Sequence, residues 1–140
     1  MHQIPWDTFR DTLFRQLGLK LKDVDQLIHD VEQSDQFRWQ RVEDFESQSD
    51  AELIAQLHWL PVGDLLVIND NSYREPGGPF VVEPQETLVQ FSERYQQAHD
   101  GEYLFNGDVL IFHWAYRYVG IFHHEGVLSE AIVSPPSAAE

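Results

Sequence analysis

The side chains with the greatest chemical potential lie near the C-terminus, where His123, His124 and Glu125 stand in a row. Imidazole carries protons near neutral pH and binds transition metals, so two of them beside a carboxylate raise both general acid–base chemistry and metal ligation. Adjacent side chains on a regular strand point to opposite faces, however, and His123 and His124 are then expected not to converge on one ion. The helical spacings His-x-x-x-His and His-Glu-x-x-His do not occur, and a chain without cysteine has no thiolate to complete a ligand set. A turn at Ala115-Tyr116 pairs Trp114 with Arg117 and sets Asp108 opposite His123, leaving His113 several rungs away. The expected role of that pair is structural, a carboxylate orienting and charging an edge histidine. Asp108 and His123 are the candidates for a metal or catalytic reading, but no metal, cofactor or catalytic residue is assigned.

Other reactive constellations are weaker still. No Gly-x-Ser-x-Gly elbow exists, and Ser92 sits in a helical stretch beside Glu93-Arg94, as on a solvated face. Gly63, Gly77 and Gly78 lack the spacing of a phosphate-cradling loop, and their surroundings are acidic. Carboxylates are so abundant that any particular pair of them is uninformative as a glycosidase signature.

The elements that must position these residues change character along the chain. Pro5 suits a helix start, and Trp6, Phe9, Leu13 and Leu17 follow at helical spacing until Gly18. Asp23 is placed to cap a second helix, with Gln26 to reciprocate and Val24, Leu27, Ile28 and Val31 as the apolar stripe. Across residues 37–45, Phe37 and Trp39 alternate as on a strand while Trp39, Val42 and Phe45 fall at helical spacing; helix is preferred. Ser49 with Glu52 forms a capping box, and Leu53, Leu57 and Leu60 share one side until Pro61. From there strands dominate: Leu65 to Ile68 reads as a strand covered on both faces, and Phe80 to Val82 as another. Pro84 is expected to open a helix lined by Leu88, Phe91, Tyr95 and Ala98. Asn106-Gly107 predicts a type I′ hairpin between 103–105 and 108–112. Runs at 117–124 and 127–133 complete a C-terminal three-stranded antiparallel meander. The expected fold class is α+β, an N-terminal helical layer (1–60) packed on a mainly antiparallel sheet (61–133) with one helix near 84–99. Residues 1–133 are read as one domain and 134–140 as a flexible tail. Most aromatic side chains, including the four tryptophans, are expected in the core.

Composition bounds the function. The 140 residues carry 24 acids, nine bases and a formal charge of −15. Area scaling gives a folded surface of roughly 7,500 Å² against about 24,000 Å² unfolded, enough burial for an independent core without disulfides. A charge this negative repels phosphate backbones and anionic lipid, which disfavours nucleic acid and membrane partners. The start, Met1 to Asp7, has no basic segment leading into an apolar stretch, and no apolar run approaches the ~20 residues of a membrane span, so a soluble cytoplasmic protein is expected. Residues 1–50 hold 11 acids and six bases, whereas residues 51–140 hold 13 acids and three bases, so two thirds of the net charge lies in the strand-rich part.

That distribution points to a basic protein partner, because opposed charges speed encounter and carboxylates meet the arginines and lysines that a nuclease turns toward phosphates. The partner-binding surface is expected to run through Asp64, Asp70, Glu75, Glu83 and Glu86, with Tyr73 as an aromatic anchor. In size, charge and α+β architecture the chain resembles the small acidic immunity proteins and antitoxins with which bacteria neutralise toxins, a likeness that implies a tight one-to-one complex and transfers no residues. Two alternatives stand beside it: an adaptor or regulatory module, and a small enzyme or ligand binder using Asp108 and His123, with His113 nearby in sequence.

Overall fold

The computed structural model describes residues 1–74 and 76–134; Glu75 and most of the expected tail lie outside that range. Helix α1 (Trp6–Leu17) follows Pro5 and ends at Gly18, whose φ of 69° is the left-handed stop that a residue without Cβ adopts at little cost. Phe9, Leu13 and Leu17 form its buried stripe. Helix α2 (Val24–Val31) is capped by Asp23, which accepts from the Gln26 backbone N–H. The reciprocal bond is not made, because the Gln26 side chain donates to Asp30 one turn on, at 2.9 Å.

Residues 36–41 correct the helical expectation: they form strand β1 (Gln36–Arg41). The backbone pairs with another strand along its whole length, from Gln36 opposite Ile132 to Arg41 opposite Val127, and this ladder overrides the coincidental helical spacing of Trp39, Val42 and Phe45. Helix α3 (Asp50–Ile54) has the expected Ser49–Glu52 capping box but stops well before Pro61. Leu57 and Leu60 still pack against the same core as Leu53. Strands β2 (Leu66–Ile68) and β3 (Phe80–Val81) follow as expected. Helix α4 (Leu88–Ala98) begins later than Pro84 suggests, because Thr87 and Gln90 form the capping box that sets its start. Ser92 is buried rather than solvated; its hydroxyl donates to the Val89 carbonyl at 2.6 Å.

Strands β4 (Val109–His113), β5 (Tyr118–His123) and β6 (Val127–Ile132) form the C-terminal meander. The hairpin expected at Asn106-Gly107 is absent, since 103–105 is not a strand. Its backbone is claimed by a side chain: buried Asp50 accepts from the N–H groups of Leu104 (2.8 Å) and Phe105 (3.1 Å). The antiparallel sheet has the order β1-β6-β5-β4-β2-β3.

Alternation along the strands sorts the apolar runs onto two faces. Leu66, Ile68, Leu110, Phe112, Val119, Ile121 and Ala131 pack beneath α1 and α2. Val67, Val109, Ile111, Tyr118, Phe122 and Leu128 pack beneath α3 and α4. Both faces are therefore covered, which is why these strands read as unbroken hydrophobic stretches. Two of the tryptophans depart from expectation, Trp39 being 62 % exposed on the edge strand and Trp59 also exposed, whereas Trp6 and Trp114 pack against the core. The outer edge of β3 is sealed by the N-terminal segment, where Gln3 bridges Phe80, Ile4 N–H donates to Pro79 and Val81 N–H donates to His2. Among the described residues, no helix is long and apolar enough to cross a membrane.

Candidate functional site

The sheet register decides which of the expected site residues meet. Glu83 follows β3 beside Asp64, whose backbone N–H points at the Glu83 carbonyl, and both precede β2 or follow β3 at the same end of the sheet. Asp70 lies beyond the other end of β2, about 15–20 Å away by strand rise. Asp64, Glu83 and Glu86 thus belong to one end, and Asp70 and Tyr73 to the other. Glu86 is engaged internally, accepting from Arg94 Nε (2.9 Å) and Nη2 (2.8 Å). Those bonds from Arg94 outweigh burial and hold the Glu86 carboxyl below its ordinary range. Asp64, Asp70 and Glu83 are exposed and, among the described residues, form no ion pair. Glu75 is outside the described residues.

At the Asp70 end, the pairing of Val109 with Phe122 carries Asp108 opposite His123, as register counting expects. The hydrogen bonds run elsewhere. Asp108 Oδ1 accepts from the backbone N–H of His124 and contacts the His124 ring at Nδ1, each at 2.8 Å. Strand β5 stops at His123, so His124 lies in the turn and is released from strand alternation. Its ring stacks on that of His123 with centroids 4.4 Å apart. His123 in turn reaches across to helix α2, its Nε2 lying 3.2 Å from Asp25 Oδ1. One ligand atom each from Asp108, His123 and His124 lies within 4.8 Å of the other two. The expectation that the two histidines diverge is therefore corrected.

Electrostatics follow the contacts. The hydrogen bond and charge of Asp108 raise the His124 imidazole above its usual value. Burial alone would raise Asp108, but the His124 backbone and ring, with the charges of both histidines, hold it low. At the opposite end of β4, burial lowers His113, partly offset by Asp64. His113 is thus remote from Asp108 along the strand.

Tyr73 is 60 % exposed and lies flat on Trp6, with ring centroids 4.9 Å apart and planes 20° from parallel. Arg10 sits over the other ring of that stack, 5.5 Å from Trp6. Burial against Trp6 raises the Tyr73 phenol; the charge of Arg10 opposes that, while Asp70 and Asp108 add to it. Asp70 also packs against Gly107, whose missing Cβ would lie 2.7 Å from Oδ2. Beside them a groove of about 350 Å³ is lined by Phe45, Gln48, Tyr103, Phe105, Asn106 and His124. This sheet end therefore gathers carboxylates, imidazoles and exposed aromatic surface.

A further group escaped sequence reasoning. Glu130 in β6 has a side chain 0 % exposed, and its carboxylate accepts from Arg38 Nη1 (2.6 Å), the backbone N–H groups of His58 (2.8 Å) and Trp59 (2.9 Å), and the Tyr118 hydroxyl (2.9 Å). The signal was one acid inside the apolar run 127–133 of a central strand. With every lone pair engaged and no solvent access, it braces the 58–59 loop against the sheet. No protein-family model, curated protein or solved structure matches the chain.

Proposed function

We propose that this chain is an acidic protein-binding domain that docks a basic protein, in the manner of an immunity or antitoxin-type inhibitor of a toxin such as a nuclease. The docking surface is the sheet end carrying Asp70, Tyr73 and Asp108. The observation that supports it is the Tyr73–Trp6 stack: an exposed tyrosine held flat at 4.9 Å on a tryptophan, beside the carboxylate of Asp70, which forms no ion pair among the described residues. A tyrosine already immobilised loses little entropy on binding, and such rings are frequent energetic anchors. The negative charge at its rim steers a cationic surface into register.

The test is capture of the partner from the source cell, its identification, and then binding kinetics at several salt concentrations. A basic partner is expected. Asp70→Lys slows association at least about tenfold at low salt and flattens the salt dependence, while Tyr73→Ala speeds dissociation. Neither changes the melting temperature by more than a few degrees. An acidic partner, or kinetics unchanged in both variants, overturns the reading.

A further inference from the structure

A second capacity of the same sheet end requires no protein partner. We propose that Asp108, His123 and His124, with Asp25 of α2 as a fourth ligand, form a binding site for a divalent transition cation, with Zn²⁺ the best match. The argument starts from donor chemistry. Two imidazoles and two carboxylates are nitrogen and oxygen donors of the kind zinc takes in four-coordinate sites, and two carboxylates neutralise its charge. Mg²⁺ and Ca²⁺ require predominantly oxygen ligands and are not matched by this set.

Distances come next. Zinc bonds of about 2.0–2.1 Å at tetrahedral angles place ligand atoms about 3.3 Å apart. Here Asp108 Oδ1 and His124 Nδ1 are 2.8 Å apart, and His123 Nε2 and Asp25 Oδ1 are 3.2 Å apart. The three-residue cluster closes within 4.8 Å. Asp25 stands outside that cluster, in contact with His123 alone, and has to swing in to become the fourth ligand; its side chain is 85 % exposed and that of His124 59 %, so both are free to turn. Asp25 and Glu125 both act on His124 as negative charges, so the local field favours a cation.

Binding has identifiable costs. The cation displaces the proton held between Asp108 and His124. At His123 it takes the Nε2 lone pair, which makes Nδ1 the protonated nitrogen and removes the weak bond it now accepts from Glu125 N–H at 3.2 Å. Asp108 keeps the His124 backbone N–H, which orients the carboxylate as carboxylate ligands in metal sites are usually oriented. The bound ion ties α2 to the β4–β5 end of the sheet.

The experiment is calorimetric titration of the chelator-treated 140-residue chain with ZnCl₂ at neutral pH. One equivalent is expected to bind, MgCl₂ is expected to give no binding, and Co²⁺ in place of Zn²⁺ should show the visible absorption of a four-coordinate ion. His123→Ala and His124→Gln each weaken Zn²⁺ binding at least tenfold; His2→Ala, altering a histidine of the segment that seals β3, leaves it unchanged. His124 is exposed enough that its variant folds, which circular dichroism verifies. Absence of stoichiometric binding, or affinity unchanged in the His124 variant, overturns the proposal.

Discussion

The Tyr118 hydroxyl donates to Glu130 Oε2 at 2.9 Å across adjacent strands β5 and β6, and both side chains are buried. Burial and the neighbouring carboxylate push the Tyr118 phenol well above its ordinary value, so it remains a donor. Glu130→Ala strands this hydroxyl, the Arg38 guanidinium and two backbone N–H groups at once. Removing one partner of such a pair costs about 3–5 kcal/mol. Tyr118→Phe, which removes a single donor and leaves the rest, is expected to cost about 1–2 kcal/mol. Urea unfolding of the two variants measures the difference, and equal losses would contradict the bracing role of Glu130.

Acid sensitivity is expected from Glu86 and Arg94. Because Arg94 lowers the folded-state carboxyl below its unfolded value, near 4.5, the pair contributes stability at neutral pH. That contribution is complete above the unfolded value and is lost as pH falls through the lowered folded one. Glu86→Gln removes it, so the variant is less stable than the parent at pH 7 by no more than about 1 kcal/mol, and the gap narrows as pH falls below 4.5. Melting temperatures measured from pH 7 to pH 3 test the sign; a gap that widens on acidification would refute it.

Gly78 is expected to tolerate no side chain. Its φ is 126°, and a Cβ there would lie 1.8 Å from the Ile4 carbonyl oxygen. Gly78→Ala must therefore strain the backbone and displace the segment that bridges β3, for a cost of about 2–4 kcal/mol. Thermal unfolding gives the loss, and faster amide exchange confined at first to Ile4 and Val81 would identify the N-terminal segment as the part released.

The legible parts of this molecule are those whose partners lie nearby in sequence. α1 and α2 show their stripes and stops, and the meander follows from β4, β5 and β6 being consecutive. β1 is opaque because Arg38 and Gln40 turn toward Glu130 and Gln56 through contacts spanning 92 and 16 residues, so that face of the strand is polar, and on the other only Phe37 packs against the core. The 103–105 segment has the pattern of a strand, and the acceptor that claims its backbone, Asp50, lies on a distant helix. In the candidate site, counting rungs from the β4–β5 turn brought Asp108 to His123, since register is arithmetic once the turn is placed. His124 escapes the count because alternation ends with β5 at His123. Asp25 belongs to another layer, and no local pattern announces that α2 crosses the sheet there.

The sealing of β3 by residues 2–4 gives the sheet a handed capacity for growth. Among the described residues, β1 pairs only with β6, so just one margin has backbone groups left to offer. Two molecules joined β1 to β1 would exhaust those margins and stop as a closed pair. Detaching the N-terminal segment would supply a second margin, and the same sheet could then be extended without limit.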